Sequence, residues 1–170
     1  MTGRCKLLAL AFAAVGLLTL TGGVQTAAVP FKELLPFVDL KLPGWQLDGQ
    51  PSGATVKQGD FQMSEARARF RAGDQTLEIT ILDFLGQPMP FMAGVQQLEM
   101  ETGEEKVRTT TVQNFKALEV FRANDHQGEL NISVADRFWV KIDGDAIDSP
   151  APLAAAAGQM DLKKLAALAK

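Results

Sequence analysis

Residues 64–84 read SEARARFRAGDQTLEITILDF, and two runs inside them alternate. Ala66, Ala68 and Phe70 alternate with Glu65, Arg67, Arg69 and Arg71, and Leu77, Ile79 and Ile81 alternate with Thr76, Glu78 and Thr80. Period two is the signature of strands with one buried face. Gly73-Asp74 between the runs suits a two-residue type II′ turn, which wants glycine first. That turn sets Phe70 against Leu77, Ala68 against Ile79 and Ala66 against Ile81 on one side. Arg69 then faces Glu78 on the other, so apolar meets apolar and cation meets anion.

Similar patterns continue downstream. Strands are expected at 106–112, 116–122, 129–135 and 138–143. A loop at 124–128 would set Leu118 against Val134 and Val120 against Ile132. A loop at 135–137, without the usual glycine, would set Val134 against Phe138, Ile132 against Val140 and Leu130 against Ile142. Upstream, Val29–Gly53 reads as a connecting segment with a short helix after Pro30, limited by Pro36, and with Trp45 as a core anchor. Residues 91–101 carry Phe91, Val95 and Leu98 on one stripe and read as a helix ended at Thr102-Gly103. Ser149-Pro150 opens an Ala-rich stretch. Asp161 is an N-cap for a C-terminal helix with Leu162, Leu165, Leu168, Ala166 and Ala169 on its apolar face.

The expected fold class is α+β. A largely antiparallel sheet of about six strands carries an N-terminal short helix, a mid-chain helix and a C-terminal helix. The layout is broadly similar to secreted photosystem-accessory-type α/β/α sandwiches, an analogy of architecture that carries no residues across.

The beginning of the chain has its own character. A basic start, with Arg4 and Lys6, precedes the uncharged run Leu7–Leu20, LLALAFAAVGLLTL. Small residues at Thr26 and Ala28 fit a signal-peptidase site, so residues 1–28 read as a leader cut after Ala28, with 29–170 as one domain. The run is shorter than the roughly 20 apolar residues that span a bilayer; the alternative is an uncleaved anchor extended through Gly22–Val24. Cys5 precedes the apolar run, where a lipid-anchor cysteine would follow it. Cleavage removes two of 17 basic residues and none of the 20 acids, leaving 15 against 20. Mild acidity argues against a nucleic-acid binder. Cys5 is the only cysteine, so the mature chain has no disulfide, no thiol nucleophile and no thiolate metal site. An exported chain resting on its core alone suits a bacterial periplasm.

No motif carries chemistry on its own. His126 is the only histidine and falls in a polar hairpin loop, where a base without partners does no catalysis. The run Asp143–Asp148 alternates carboxylates, but Ile147 stands where a calcium ligand belongs. Glu99, Glu101, Glu104 and Glu105 are split by Gly103 and read as a solvated cluster. Asn131-Ile132-Ser133 is a glycosylation sequon inside a strand. No phosphate loop or nucleophile elbow is present. Neither a cofactor nor a metal is expected.

Two features suggest binding. Arg67, Arg69 and Arg71 make a basic stripe that could hold an anion or simply keep a sheet face hydrated. The strand registers put Phe121 and Trp139 together on the outer face among Glu119, Asn131, Ser133 and Lys141, an aromatic pair in a polar setting. The expected site residues are Trp139, Phe121, Asn131, Lys141, Arg67 and Arg69. The expected function is a non-enzymatic periplasmic or secreted accessory protein that binds an envelope protein or component. A carrier of a small apolar ligand, held near Ala154–Ala157 and Ala166–Ala169, is the alternative from another class. A carboxylate-dependent hydrolase ranks last.

Overall fold

The structure is a computed structural model and describes residues 27–85 and 97–170. Its elements are α1 (Phe31–Val38), β1 (Gln46–Leu47), β2 (Ser52–Gln58), β3 (Phe61–Ala72), β4 (Gln75–Asp83) and β5 (Glu99–Glu101). There follow β6 (Glu105–Val112), β7 (Phe115–Arg122), β8 (Gln127–Val134), β9 (Phe138–Asp145), α2 (Ala151–Gln159) and α3 (Leu162–Ala167). The strands form one antiparallel sheet in the order β1-β3-β4-β9-β8-β7-β6-β5, with β2 also paired to β3. The mostly antiparallel α+β class is as expected.

The central hairpin follows the alternation that encodes it. Phe70 lies opposite Leu77, Ala68 opposite Ile79, Ala66 opposite Ile81, and Arg69 opposite Glu78. Gly73 has φ +62°, the left-handed value that a type II′ turn needs at its first position. Leu77, Ile79 and Ile81 are fully buried. β9 closes on β4 with Ile79 opposite Ile142 and Ile81 opposite Val140. The β8–β9 pairs Val134–Phe138, Ile132–Val140 and Leu130–Ile142 also match the expectation. In the loop between them Ala135 and Asp136 carry the positive φ that glycine would have supplied.

The described helices share one face of the sheet. α1 buries Leu34, Phe37 and Val38 over β2, β3 and β4. Pro36 lies inside α1, which continues past it to Val38. α2 and α3 cover β8 and β9 through Leu153, Ala157, Leu162 and Leu165. Asp161 caps α3 by accepting the Lys164 N–H at 2.9 Å. Gly128 and Gly144 sit opposite each other on β8 and β9. Their missing side chains make room for Ile147 and Leu153, both fully buried. Among the described residues this is two layers, one fewer than the α/β/α sandwich of the analogy.

Several expectations need correction. Among the described residues the sheet has nine strands, where about six were expected. Residues 52–58 form β2, hairpinned to β3 through Gly59-Asp60; its first two residues were expected to belong to the loop-like entry segment ending at Gly53, and no strand was expected here. The helix expected at 91–101 fails in its last residues. Glu99–Glu101 is a strand on the free side of β6, with Glu101 paired to Lys106 at 3.0 Å. Residues 91–96 lie outside the described residues. The Ala-rich stretch is itself a helix, α2, so two helices close the chain.

The main correction is a register. β7 and β8 are joined through residues 123–126, a shorter loop than expected, with Arg122 opposite Gln127. Leu118 therefore faces Asn131 and Val120 faces Glu129, while Ala117 faces Ile132 and Phe121 faces Gly128. An odd shift exchanges the two faces of a strand. Ala117, Glu119 and Phe121 turn to the helix side, and Leu118 and Val120 turn outward. Gly128 leaves room under Leu153 and Ile147 that the Phe121 ring reaches.

Candidate functional site

The opposite sheet face carries no described helix. Strand alternation places Arg67, Arg69 and Arg71 of β3 there, with Thr76, Glu78 and Thr80 of β4. Trp139, Lys141, Asp143 and Asp145 of β9 join them, and Glu129, Asn131 and Ser133 of β8 lie alongside. Arg122 and Glu105 extend this face across β7 and β6.

Five of these side chains, Glu105, Arg122, Glu129, Lys141 and Asp143, form a connected ionic lattice, with the Arg69–Glu78 pair beside it. Glu105 holds Arg122 at 3.0 Å, and Arg122 meets Glu129 at 3.5 Å. Lys141 approaches Glu129 at 3.8 Å and Asp143 at 2.8 Å. Arg69 grips Glu78 through Nη2 at 2.8 Å and Nε at 3.2 Å. This two-point contact, with the Glu78 charge, raises the Arg69 pKa. Burial raises the Asp143 carboxyl, Lys141 pulls it down, and Glu129 and Glu78 add to the rise. Burial also opposes the Lys141 charge, but its hydrogen bond to Asp143 and the surrounding acids outweigh this and raise its pKa. A hollow of about 310 Å³ opens at this lattice, lined by Arg69, Glu78, Arg122, Glu129, Asp143 and Asp145 among others. Acids outnumber bases around it by four to two.

The expected site residues separate into two groups. Arg67, Arg69, Lys141, Asn131 and Trp139 lie on this face. Phe121 does not: it packs against the core on the helix side, so the aromatic pair is not assembled. Glu119, its expected neighbour, also turns inward, where it is 5 % exposed and bound by Arg108 at 2.7 Å. Trp139 is half-buried; its indole N–H donates to Asn131 Oδ1 at 3.0 Å, and Phe84 is its ring neighbour at 6.4 Å. The sequon asparagine is thus largely buried beside an indole.

The remaining motifs disperse. His126 Nδ1 lies 3.1 Å from Asp148 Oδ1 in an exposed pair. Asp143 and Asp145 stay on the strand, while Ile147 turns into the core. Glu101 and Glu105 are taken by Lys106 and Arg122. Among the described residues no three His, Cys, Asp or Glu side chains converge to hold a metal. Where an apolar ligand was considered, a recess of about 130 Å³ is lined by Leu42, Trp45, Leu77, Ala155 and Ala156. Ligand pockets are commonly about 300–1,000 Å³. No described helix is long and apolar enough to cross a membrane.

Sequence reasoning missed Asp83 and Arg137, the most deeply buried ion pair among the described residues, at 2.7 Å with side chains 0 % and 7 % exposed. Asp83 continues the apolar phase of β4, and a carboxylate in a buried phase was the available signal. Comparisons with protein-family models, curated proteins and solved structures give no significant match.

Proposed function

We propose that this is an exported, non-enzymatic binding protein of the bacterial envelope, and that the helix-free sheet face is its contact surface. The ionic lattice running from Glu105 to Asp143 supports this reading. A hydrated sheet face needs only scattered charges. Here they are linked in a chain around an acid-rich hollow, which complements a partner bearing basic groups. Interleaved charges of this kind contribute more to specificity and rate of encounter than to raw affinity. The reading is tested by placing a photo-cross-linking residue at Thr80 or Thr76 and, separately, at Lys163 on the exposed side of α3. The full chain is expressed in cells, and the soluble exported fraction is irradiated. Adducts of defined mass from the sheet positions, and none from Lys163, are expected. Adducts confined to Lys163, or a protein that stays in the cytoplasm, would overturn it.

A further inference from the structure

The nitrogen that cleavage would free already has a seat in the fold. Val29 is 1 % exposed, and its backbone N–H donates to Asp83 Oδ2 at 2.7 Å. The Asp83 carboxylate also accepts from Arg137 Nη2 at 2.7 Å, Arg137 Nε at 3.0 Å and the Leu85 N–H at 3.0 Å. Four donors fill the roughly four lone-pair positions of a carboxylate. Arg137 also donates to the Ala27 carbonyl at 2.9 Å. Burying a carboxylate is costly without such partners, so the arrangement is built around residues 27–29.

We propose that Asp83 is the docking site for the α-ammonium group of the mature chain, formed at Val29 when the leader is cut after Ala28. This rests on the export reading. Two independent observations meet at one bond. The small residues at Thr26 and Ala28 mark the cut from sequence alone, and the nitrogen it frees is the one that touches the buried carboxylate. Hydrolysis adds water across the Ala28–Val29 peptide bond, leaving a carboxylate on Ala28 and an amine on Val29 that takes a proton at neutral pH. The nitrogen keeps its place as donor and gains a charge.

Asp83 in direct contact favours the charged amine and raises its pKa above the ordinary value of about 7.7–8.0, against the burial of Val29 and the Arg137 guanidinium on the same carboxylate, which both lower it; docking as proposed requires that the carboxylate prevail. Lys32 and Glu33 on α1, Lys57 on β2 and Asp136 in the 135–137 loop are exposed. The charged residues of β3 and β4 from Glu65 to Glu78 occupy the other sheet face, and residues 86–96 contain no ionisable side chain. The composition narrows the effect. The chain has no tyrosine, its only cysteine leaves with the leader, and it has one histidine. The form beginning at Ala27 carries the same histidine and lysines, so the difference between the two forms isolates the α-amine, which ordinarily titrates near about 7.7–8.0.

The sign follows. With the folded pKa raised, the unfolded chain releases its proton first as pH rises. The stabilisation is complete below about pH 7.7 and is lost as pH climbs through the folded value. The experiment is urea denaturation of the exported protein from pH 7 to 9.5, with its N-terminus read by intact mass. A fall in stability across that window is expected for the chain beginning at Val29. It should vanish in Asp83→Asn and in a chain made to begin at Ala27. The Ala27 form keeps the test decisive if Asp83→Asn does not fold. Stability flat or rising with pH, or an equal fall in the Ala27 form, overturns the docking. A different natural N-terminus defeats the processing reading instead, and docking is then decided on a chain made to begin at Val29.

Discussion

Gly144→Ala probes the contact between the sheet and the C-terminal helices. A Cβ at residue 144 would lie 2.6 Å from Ile147 Cδ1 and 3.0 Å from Leu153 Cδ2. Carbon atoms pack best at about 3.5–4.0 Å, so Ile147 must retreat by about an ångström. Both obstructing side chains are fully buried, so retreat means repacking. Inserting a methyl into a filled core costs about 1–3 kcal/mol, and replacing a strand glycine with alanine recovers about 0.5–1. The net expectation is a loss of about 1–2 kcal/mol in urea denaturation at unchanged m-value. Ile147→Val removes the Cδ1 atom in the way. Alone it should cost about 0.5–1.5 kcal/mol. Combined with Gly144→Ala it should cost less than the sum, by about 1 kcal/mol. Strict additivity of the two substitutions would refute the steric argument, because no shared atom would then be responsible.

Ile79→Asp should cost several kcal/mol by burying an unpaired charge, whereas Glu78→Gln on the other face should cost less than about 1; equal denaturation midpoints would contradict the hairpin register. Trp139→Phe, in a Trp45→Phe background, keeps a ring but removes the donor to Asn131, and should cost about 1–3 kcal/mol. Before that change, Trp139 emission should be only partly quenched by acrylamide, in line with its half-burial; full quenching would place it outside the fold. Lys141→Met removes the cation that holds down the Asp143 carboxyl, so the Asp143 titration followed by carbon NMR should move to higher pH. No upward movement would show that the two groups are not coupled.

The hairpin of β3 and β4 was legible because turn, charge and apolar phase agree on one register. The same holds for β8 and β9, whose short loop left little freedom. β2 was hidden because Gly53 and Thr55 face the core without an apolar alternation, yet Gly59-Asp60 repeats the Gly73-Asp74 signal. β5 is three residues long, too short for any period to show. The β7 register failed on the length of the connecting loop, and with it went the pairing of Phe121 and Trp139. Arg67, Arg69 and Lys141 were legible as outward side chains, but their meeting on one face depends on β9 lying beside β4. The Asp83 seat for Val29 joins residues 54 positions apart, a distance over which local pattern carries no information.

An open sheet has two borders, and each is a template on which another chain can grow. On one side the border is divided between the two-residue β1 and β2. On the other, among the described residues, it is β5 and the part of β6 that β5 does not cover, with exposed Glu99 and Glu101 flanking Met100. If two copies met border to border, antiparallel about Met100, each Glu99 would face the other copy's Glu101. Two like-charge contacts over three residues, eased only where Lys106 holds Glu101, leave little backbone pairing to compensate. The strand therefore repels its own image, and stacking into fibres is discouraged at neutral pH. That protection depends on ionised carboxylates, so acidification would weaken it, and self-association should begin at this border.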